Sequence, residues 1–516
     1  MKHMKKIAGL LLALVMLMSL TTTAFAATVT IPTEGILKDH SFTAYQIFTG
    51  REDNGVLSDV QWGSGINRET FLTALKSMAG SKFTSCTTAA EVANVLSANN
   101  TDTALANAVA KLAYAHKTGS GTALTAGDNT LADGYYLIVD TTPNVSAGGA
   151  YNAALLQVVG NINITVKTDA PTVEKKVLEG SVYQDTADYN IGDAVPFRLI
   201  GTVPDMSRYE TYKYIFHDTL SDGLTLNADS IKVYVANDKA GTDKTEITVW
   251  NKTVNGQSFT VYFNDLKTVS GVSQGKYIIV EYTATLNQGA EIGNNGNANT
   301  VKLEYSNNPD QSGDGEPSTG ETPEDKVIVF TYELDTTKVA SNNTNTKLQG
   351  AEFVLLNVDK SKVAIVDSNS KVTGWKNAPA AGEDGTVTYP EGSKLTSGAD
   401  GLFKVIGLDA GIYYLKETKA PAGYNLLTEP IELTITATIS DGENEQSLDT
   451  LKITVNEQIA DGNVSTGIVN MTVINNPGST LPETGGMGTT LFYAVGGVLV
   501  VAAIIFLIAR KRTASK

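Results

Sequence analysis

The chain has one cysteine in 516 residues, Cys86, and only four histidines. A single cysteine permits no internal disulfide, so covalent reinforcement, if there is any, must come from other chemistry. Cys86 stands just before Thr88-Ala89-Ala90-Glu91, which reads as a capping box at a helix start, and it is expected to be an incidental thiol rather than a nucleophile. No histidine lies at metal-ligand spacing from another, and no Gly-rich phosphate loop or nucleophile elbow occurs. Hydrolase or redox chemistry on an external substrate therefore has no visible machinery, and neither cofactor nor metal is expected. Basic residues are also scarce, 39 Lys and Arg against 55 Asp and Glu, for a formal net charge of −16. That balance argues against nucleic acid or an anionic membrane surface as a partner.

Long apolar runs occur only at the two ends. Lys2, Lys5 and Lys6 precede an apolar stretch from Ile7 to Leu20, and Ala24-Phe25-Ala26 offers the small-x-small pattern of signal-peptidase cleavage. Residues 1–26 are thus expected to be a signal peptide, with the mature chain secreted and beginning at Ala27. At the other end Leu481-Pro482-Glu483-Thr484-Gly485 is followed by a short spacer, an apolar run from Leu491 to Ala509, and Arg510, Lys511 and Arg512. The run is about as long as a helix needs to cross a bilayer, and the basic tail should stay cytoplasmic. This order of parts resembles the substrates of sortases, transpeptidases that cleave between the Thr and Gly of such a pentapeptide. The resemblance implies that Thr484 becomes the acyl donor to an amine and that everything beyond it is discarded.

What lies between the ends is too long for one core, and about three domains are expected. Residues 27–169 mix strands such as Thr43–Phe48 and Tyr135–Val139 with helical spacing over 68–78, 88–96 and 103–114, an α+β pattern. Ile162, Ile164 and Val166 alternate with polar residues before Asp169-Ala170-Pro171 breaks the strand. Residues 170–326 and 327–476 are strand and turn, with 307–325 reading as a loop, and 477–516 form the terminal signal. The fold class is mainly β, tandem immunoglobulin-like sandwiches with helical insertions in the first.

The third domain carries Tyr413-Tyr414-Leu415-Lys416-Glu417-Thr418-Lys419-Ala420-Pro421-Ala422-Gly423-Tyr424. The string resembles the E-box, Tyr-x-Leu-x-Glu-Thr-x-Ala-Pro-x-Gly-Tyr, of the sortase-assembled pilins of Gram-positive bacteria, and every fixed position is matched. The residues themselves support a buried Glu417. Strand side chains alternate, so Tyr413, Leu415 and Glu417 share one face, and the two apolar members mark it as the core. A lone buried carboxylate is costly, and the usual escape is to stay protonated. Phe330, Tyr332 and Leu334 alternate toward Lys338, and Val469, Met471 and Val473 toward Asn475, so a Lys, a Glu and an Asn should meet in one interior. In the family's B-type collagen-adhesin domains such a trio forms an intramolecular isopeptide bond. The resemblance implies Lys338 as nucleophile, Asn475 as electrophile and Glu417 as the acid, with Asn476 the nearest rival to Asn475.

The middle domain repeats the pattern. Val173, Lys175 and Val177 share a face, as do Tyr214, Phe216, Asp218 and Leu220, and as do Asn299, Val301, Leu303 and Tyr305. Similarity to the middle domain of pilus shaft subunits, where an Asp takes the acid's role, points to Lys175, Asp218 and Asn299, with Lys176 and Asn297 as rivals. The first domain has Gly134-Tyr135-Tyr136-Leu137-Ile138-Val139-Asp140, the start of an E-box without its Glu-Thr and Ala-Pro parts, so no isopeptide bond is expected there. Shaft pilins also carry an exposed acceptor Lys near the end of the first domain, and Lys167 occupies that place, although the Tyr-Pro that often precedes it is missing. The expectation is a major pilus subunit, joined by a sortase from Thr484 to Lys167 of an identical subunit. Minor tip and base pilins and peptidoglycan would be its other partners, and its only chemistry self-crosslinking. The alternative is a wall-anchored monomeric adhesin of the same domains; a wall-anchored hydrolase ranks third.

Overall fold

The computed structural model describes residues 26–35, 37–53, 56–159, 162–165, 169–312, 317–380, 387–442, 445–479 and 487–513. The signal segment up to residue 25, Val166, Lys167 and the pentapeptide 481–485 lie outside them.

The N-terminal unit is built on a sheet ordered Val56–Trp62, Phe42–Asp53, Gly134–Asp140, Leu155–Val159, with Thr122–Leu124 also beside Phe42–Asp53. Helices α1 (Arg68–Ser77), α2 (Ala89–Ala98) and α3 (Thr103–His116) pack on it, burying Phe71, Leu75, Val92, Val109 and Ala113 against Ile47, Leu137 and Val139. Each helix starts where a side chain satisfies an orphan N–H: Asn67, Thr88 and Asp102 are the N-caps, and Thr88 with Glu91 closes the expected capping box. Cys86 is buried in this same core. On the other side Ala26–Ile31 lies between Gly127–Ala132 and, in parallel, Ile162–Asn163. Ile164 is buried while Asn163 and Thr165 are exposed, which is the expected alternation.

The middle unit is a sandwich of two sheets. One is ordered Val182–Gln184, Val173–Glu179, Ala194–Thr202, Tyr277–Leu286, Lys232–Ala236, Thr245–Ile247; the other Thr186–Asp188, Asp325–Phe330, Asn297–Ser306, Tyr214–Leu220, Ser258–Phe263, Asn251–Asn255. The segment 307–325 is not wholly loop. It holds a 3-10 turn, Pro309–Gln311, and a short strand, Thr319–Glu321, that pairs with Glu304–Ser306 and continues the sheet past the turn.

Asp325–Phe330 runs antiparallel to Asn297–Val301 in the middle unit, whereas Tyr332–Ala340 belongs to a separate sheet with Leu402–Leu408 and Ile468–Asn475. The sheets therefore change at Thr331, five residues beyond the 326/327 boundary read from composition, because the last strand of one unit runs straight into the first strand of the next. Facing the new sheet is a larger one that includes Glu352–Leu356, Gly411–Lys419 and the long hairpin Ile431–Gly442/Glu445–Val455. The two units share one continuous apolar core. Ile191 donates its N–H to Gly407 across the junction at 3.0 Å. Gly407 has φ +95 there, and an added Cβ would come within 2.5 Å of the Ile191 side chain. After the third unit comes α4 (Met487–Thr513), whose stretch Leu491–Ile508 is long and apolar enough to cross a membrane.

Candidate functional site

In the third unit Lys338 lies on Tyr332–Ala340 and Asn475 on its parallel neighbour Ile468–Asn475, while Glu417 comes from the facing sheet. Alternation puts all three inward, and Lys338 and Asn475 are each 0% exposed, Glu417 2%. Lys338 Nζ donates to Asn475 Oδ1. This nitrogen is 3.8 Å from Glu417 Oε1 and lies over the Phe353 ring at 5.8 Å. Asn475 Nδ2 in turn donates to both Glu417 oxygens, at 2.9 and 3.0 Å. Burial holds the Lys338 amine down at about 8, against the opposing pull of Glu417. A much larger neutral fraction is available than on a surface lysine.

The second half of the E-box string explains how this pocket is closed. Pro421 to Tyr424 form a turn, with Tyr424 N–H donating to Pro421 O at 3.1 Å and Gly423 at φ +84. The turn brings the chain back so that Asn425 O accepts from Asn475 Nδ2 at 3.0 Å, and Leu427 N–H donates to Glu417 Oε2 at 2.8 Å. Asn425 and Leu427 position the acid and the amide through backbone atoms, which side-chain pattern could not show. Asn476, the rival, is exposed; its carbonyl accepts from Asn425 N at 2.9 Å.

In the middle unit Lys175 comes from one sheet and Asp218 and Asn299 from the other, so the trio spans the sandwich. Lys175 and Asn299 are 0% exposed and Asp218 1%. Lys175 Nζ donates to Asp218 Oδ2, and also to Tyr282 OH at 2.9 Å. Burial lowers the Lys175 amine to about 8 and raises the Asp218 carboxyl, so both groups are moved toward their neutral forms, against the pull each exerts on the other. Among the described residues no direct hydrogen bond joins Asn299 to either of them. Tyr282 bridges the gap, accepting from Asn299 Nδ2 at 2.9 Å and donating to Asp218 Oδ2 at 2.8 Å. Sequence reading missed Tyr282; the signal was its place inward on Tyr277–Leu286, where a tyrosine is indistinguishable from core.

Both rivals here have other duties. Lys176 is half-buried and pairs with Asp185. Asn297 accepts from Glu291 N and donates to Glu291 O and Val329 O, all at 3.0–3.1 Å, which uses its amide to hold a loop. In the N-terminal unit the truncated E-box ends at Asp140, whose carboxylate meets His40 at 2.6 Å and the Thr142 and Asn152 N–H groups. Against burial, which pushes it up, these hydrogen bonds hold the Asp140 carboxyl low, and among the described residues no lysine contacts it.

A family model described as Gram-positive pilin backbone subunit 2, Cna-B-like domain, matches residues 191–309, and one described as SpaA, prealbumin-like fold domain, matches 333–449. The trypsin-resistant surface T6 protein of Streptococcus pyogenes serotype M6 is 25% identical over 412 residues, covering 67% of this chain and 70% of that one. Together these matches support a Gram-positive major pilin. This pilin is also 27% identical over 347 residues to the fimbrial subunit type 2 of Actinomyces naeslundii, across 63% of this chain and 58% of the relative. Its fold is similar to that of the T6 backbone pilin of serotype M6 Streptococcus pyogenes, with a TM-score of 0.53 and 18% identity over 88% of this chain and 99% of that one. That structure is described as a modular three-domain one.

Proposed function

We propose that this pilin is the shaft subunit of a covalent pilus, reinforced by Lys338–Asn475 and Lys175–Asn299 isopeptide bonds. A sortase would cleave after Thr484 and pass the acyl group to Lys167 of the next subunit, and the finished fibre, with minor tip and base pilins, would be fixed to peptidoglycan. The supporting observation is the burial of an amine against a carboxamide with an acid beside the amide nitrogen. Desolvation supplies the neutral amine of Lys338, which can attack Cγ of Asn475. Glu417 touches Nδ2, the atom that must gain a proton to leave as ammonia, and can take the proton that the new amide nitrogen gives up. A lysine buried this deeply without such use would cost the fold several kcal/mol.

Two measurements test the reading. The mature ectodomain should be lighter than its sequence by two ammonias, and unshifted mass would sink the crosslinks. Wall extracts should show a ladder that survives boiling in detergent, lost in Lys167→Ala while monomer still reaches the wall through Thr484. Wild type without a ladder in the presence of its sortase would favour a monomeric adhesin.

A further inference from the structure

The two buried sites differ in reach. Glu417 touches both Lys338 and Asn475, with its oxygens 3.8 Å from the amine and 2.9 and 3.0 Å from the amide nitrogen. Asp218 is one methylene shorter, and it holds Lys175 without reaching Asn299. The Tyr282 hydroxyl stands in the gap, 2.8 Å from Asp218 Oδ2, 2.9 Å from Lys175 Nζ and 2.9 Å from Asn299 Nδ2. One donated and two accepted hydrogen bonds fill its capacity. Its ring is fixed between Phe197, stacked at 5.4 Å, and Phe259, edge-on at 4.9 Å, so the hydroxyl has one place to be.

Two further oxygens of the network remain open to a hydrogen bond. Asp218 Oδ1 and Asn299 Oδ1 are both buried without a hydrogen-bond partner.

We propose that Tyr282 is a catalytic residue of the middle-unit crosslink, relaying a proton between Asp218 and the departing nitrogen of Asn299. The proposal rests on the Lys175–Asn299 reading above. The neutral Nζ of Lys175 attacks Cγ of Asn299 and a C–N bond forms. Attack makes the carbon tetrahedral and frees a lone pair on Nδ2, so the two hydrogen bonds of Tyr282 reverse: the protonated Asp218 gives its proton to the Tyr282 oxygen as the Tyr282 O–H hydrogen passes to Nδ2. The Cγ–Nδ2 bond breaks, ammonia leaves, and Asp218 recovers a proton from the new amide nitrogen. Atoms balance with one ammonia lost, and Tyr282 and Asp218 end as they began. Burial pushes the phenol well above its ordinary value, so it remains a hydroxyl able to donate and accept at once.

The test follows the crosslinked Lys175–Asn299 peptide by mass over time in the full chain, with the Lys338–Asn475 peptide as internal control. Tyr282→Phe removes only the hydroxyl and should abolish the middle-unit link, or slow it at least tenfold, while the control link forms normally. The double variant Asp218→Glu, Tyr282→Phe supplies an acid long enough to reach Asn299 itself and should regain the link. Tyr282→Phe linking at the wild-type rate overturns the relay and leaves the crosslink reading intact. A folded double variant that stays unlinked also overturns it, in favour of a packing role. Absence of the link in wild type overturns the crosslink reading and the relay with it.

Discussion

Lys338 and Asn475 sit two residues out of register on neighbouring parallel strands, Lys338 opposite Val473 and Ala340 opposite Asn475. Those strands open and close the third unit, and parallel pairing is what brings the two ends of its chain side by side. A covalent bond at this point would carry load directly from the entering to the leaving strand, bypassing the rest of the unit. The middle-unit trio is arranged otherwise. Lys175 and Asn299 belong to facing sheets, so a bond there would staple the sandwich through its core.

Glu417→Ala should leave the third unit folded but unlinked, with the mass of the mature chain raised by one ammonia relative to wild type after allowing for the substitution. Lys338 and Asn475 are 137 residues apart in sequence. A crosslink closing a loop of that size is worth about 5 kcal/mol in the chain-entropy model. The variant should therefore melt well below wild type and become sensitive to trypsin. Tandem mass spectra that still show Lys338 joined to Asn475 would contradict the role given to Glu417.

The rate of third-unit crosslinking should follow the neutral fraction of Lys338. With the amine held at about 8, the rate should rise about tenfold per pH unit below that value and level off above it. Freshly synthesised chain folded at a series of pH values and quenched for mass analysis would give the profile. A rate independent of pH between 6 and 8, on the order of the range the buried amine should titrate across, would remove the amine from the rate-limiting step.

Neighbouring residues of the same type should separate cleanly. Lys176→Ala breaks only the partly exposed pair with Asp185 and should keep the middle-unit link, whereas Lys175→Ala should lose it. Asn297→Ala should keep the link yet lower stability by about 1–3 kcal/mol, because the Glu291 and Val329 backbone groups lose their partner. Peptide mapping and a denaturant melt of each variant distinguish the two effects.

The junction between the N-terminal and middle units should respond to pH through Asp310, which accepts from Ala154 N at 2.9 Å. Burial raises its carboxyl to about 6, against the pull of Arg208 and Lys117. The folded state therefore holds this proton more tightly than the unfolded one. Its contribution to stability is complete below about pH 4 and is lost as pH climbs through about 6. Asp310→Asn keeps an oxygen for Ala154 and should remove that slope. Melting wild type and variant at both ends of the window checks it, and parallel curves would show that Asp310 does not titrate there.

The fold class and the burial of the residues in both trios were legible because strand geometry alternates. A Lys, an acid or an Asn that interrupts an apolar face of period two must point where its neighbours point, and Lys338, Glu417, Asn475, Lys175, Asp218 and Asn299 are all buried. Asn476 was separable from Asn475 on the same ground, and it is exposed. Composition was a poorer guide to the hand-over between units, because Asp325–Phe330 and Tyr332–Ala340 read as one apolar stretch although they pair in different sheets.

Local pattern thus determined which side chains go inside, how the helices are capped, and which residues could supply amine, acid and amide. It could not determine which of them meet, since that depends on strand order and on backbone returning from elsewhere in the chain. Parallel pairing of first and last strands places Lys338 against Asn475, and the Pro421–Tyr424 turn carries Asn425 and Leu427 onto the same pocket. The role of Tyr282 was likewise a tertiary decision. A buried tyrosine on an apolar face is core by every local rule, and it becomes part of a polar network only because sandwich packing sets its hydroxyl among Lys175, Asp218 and Asn299.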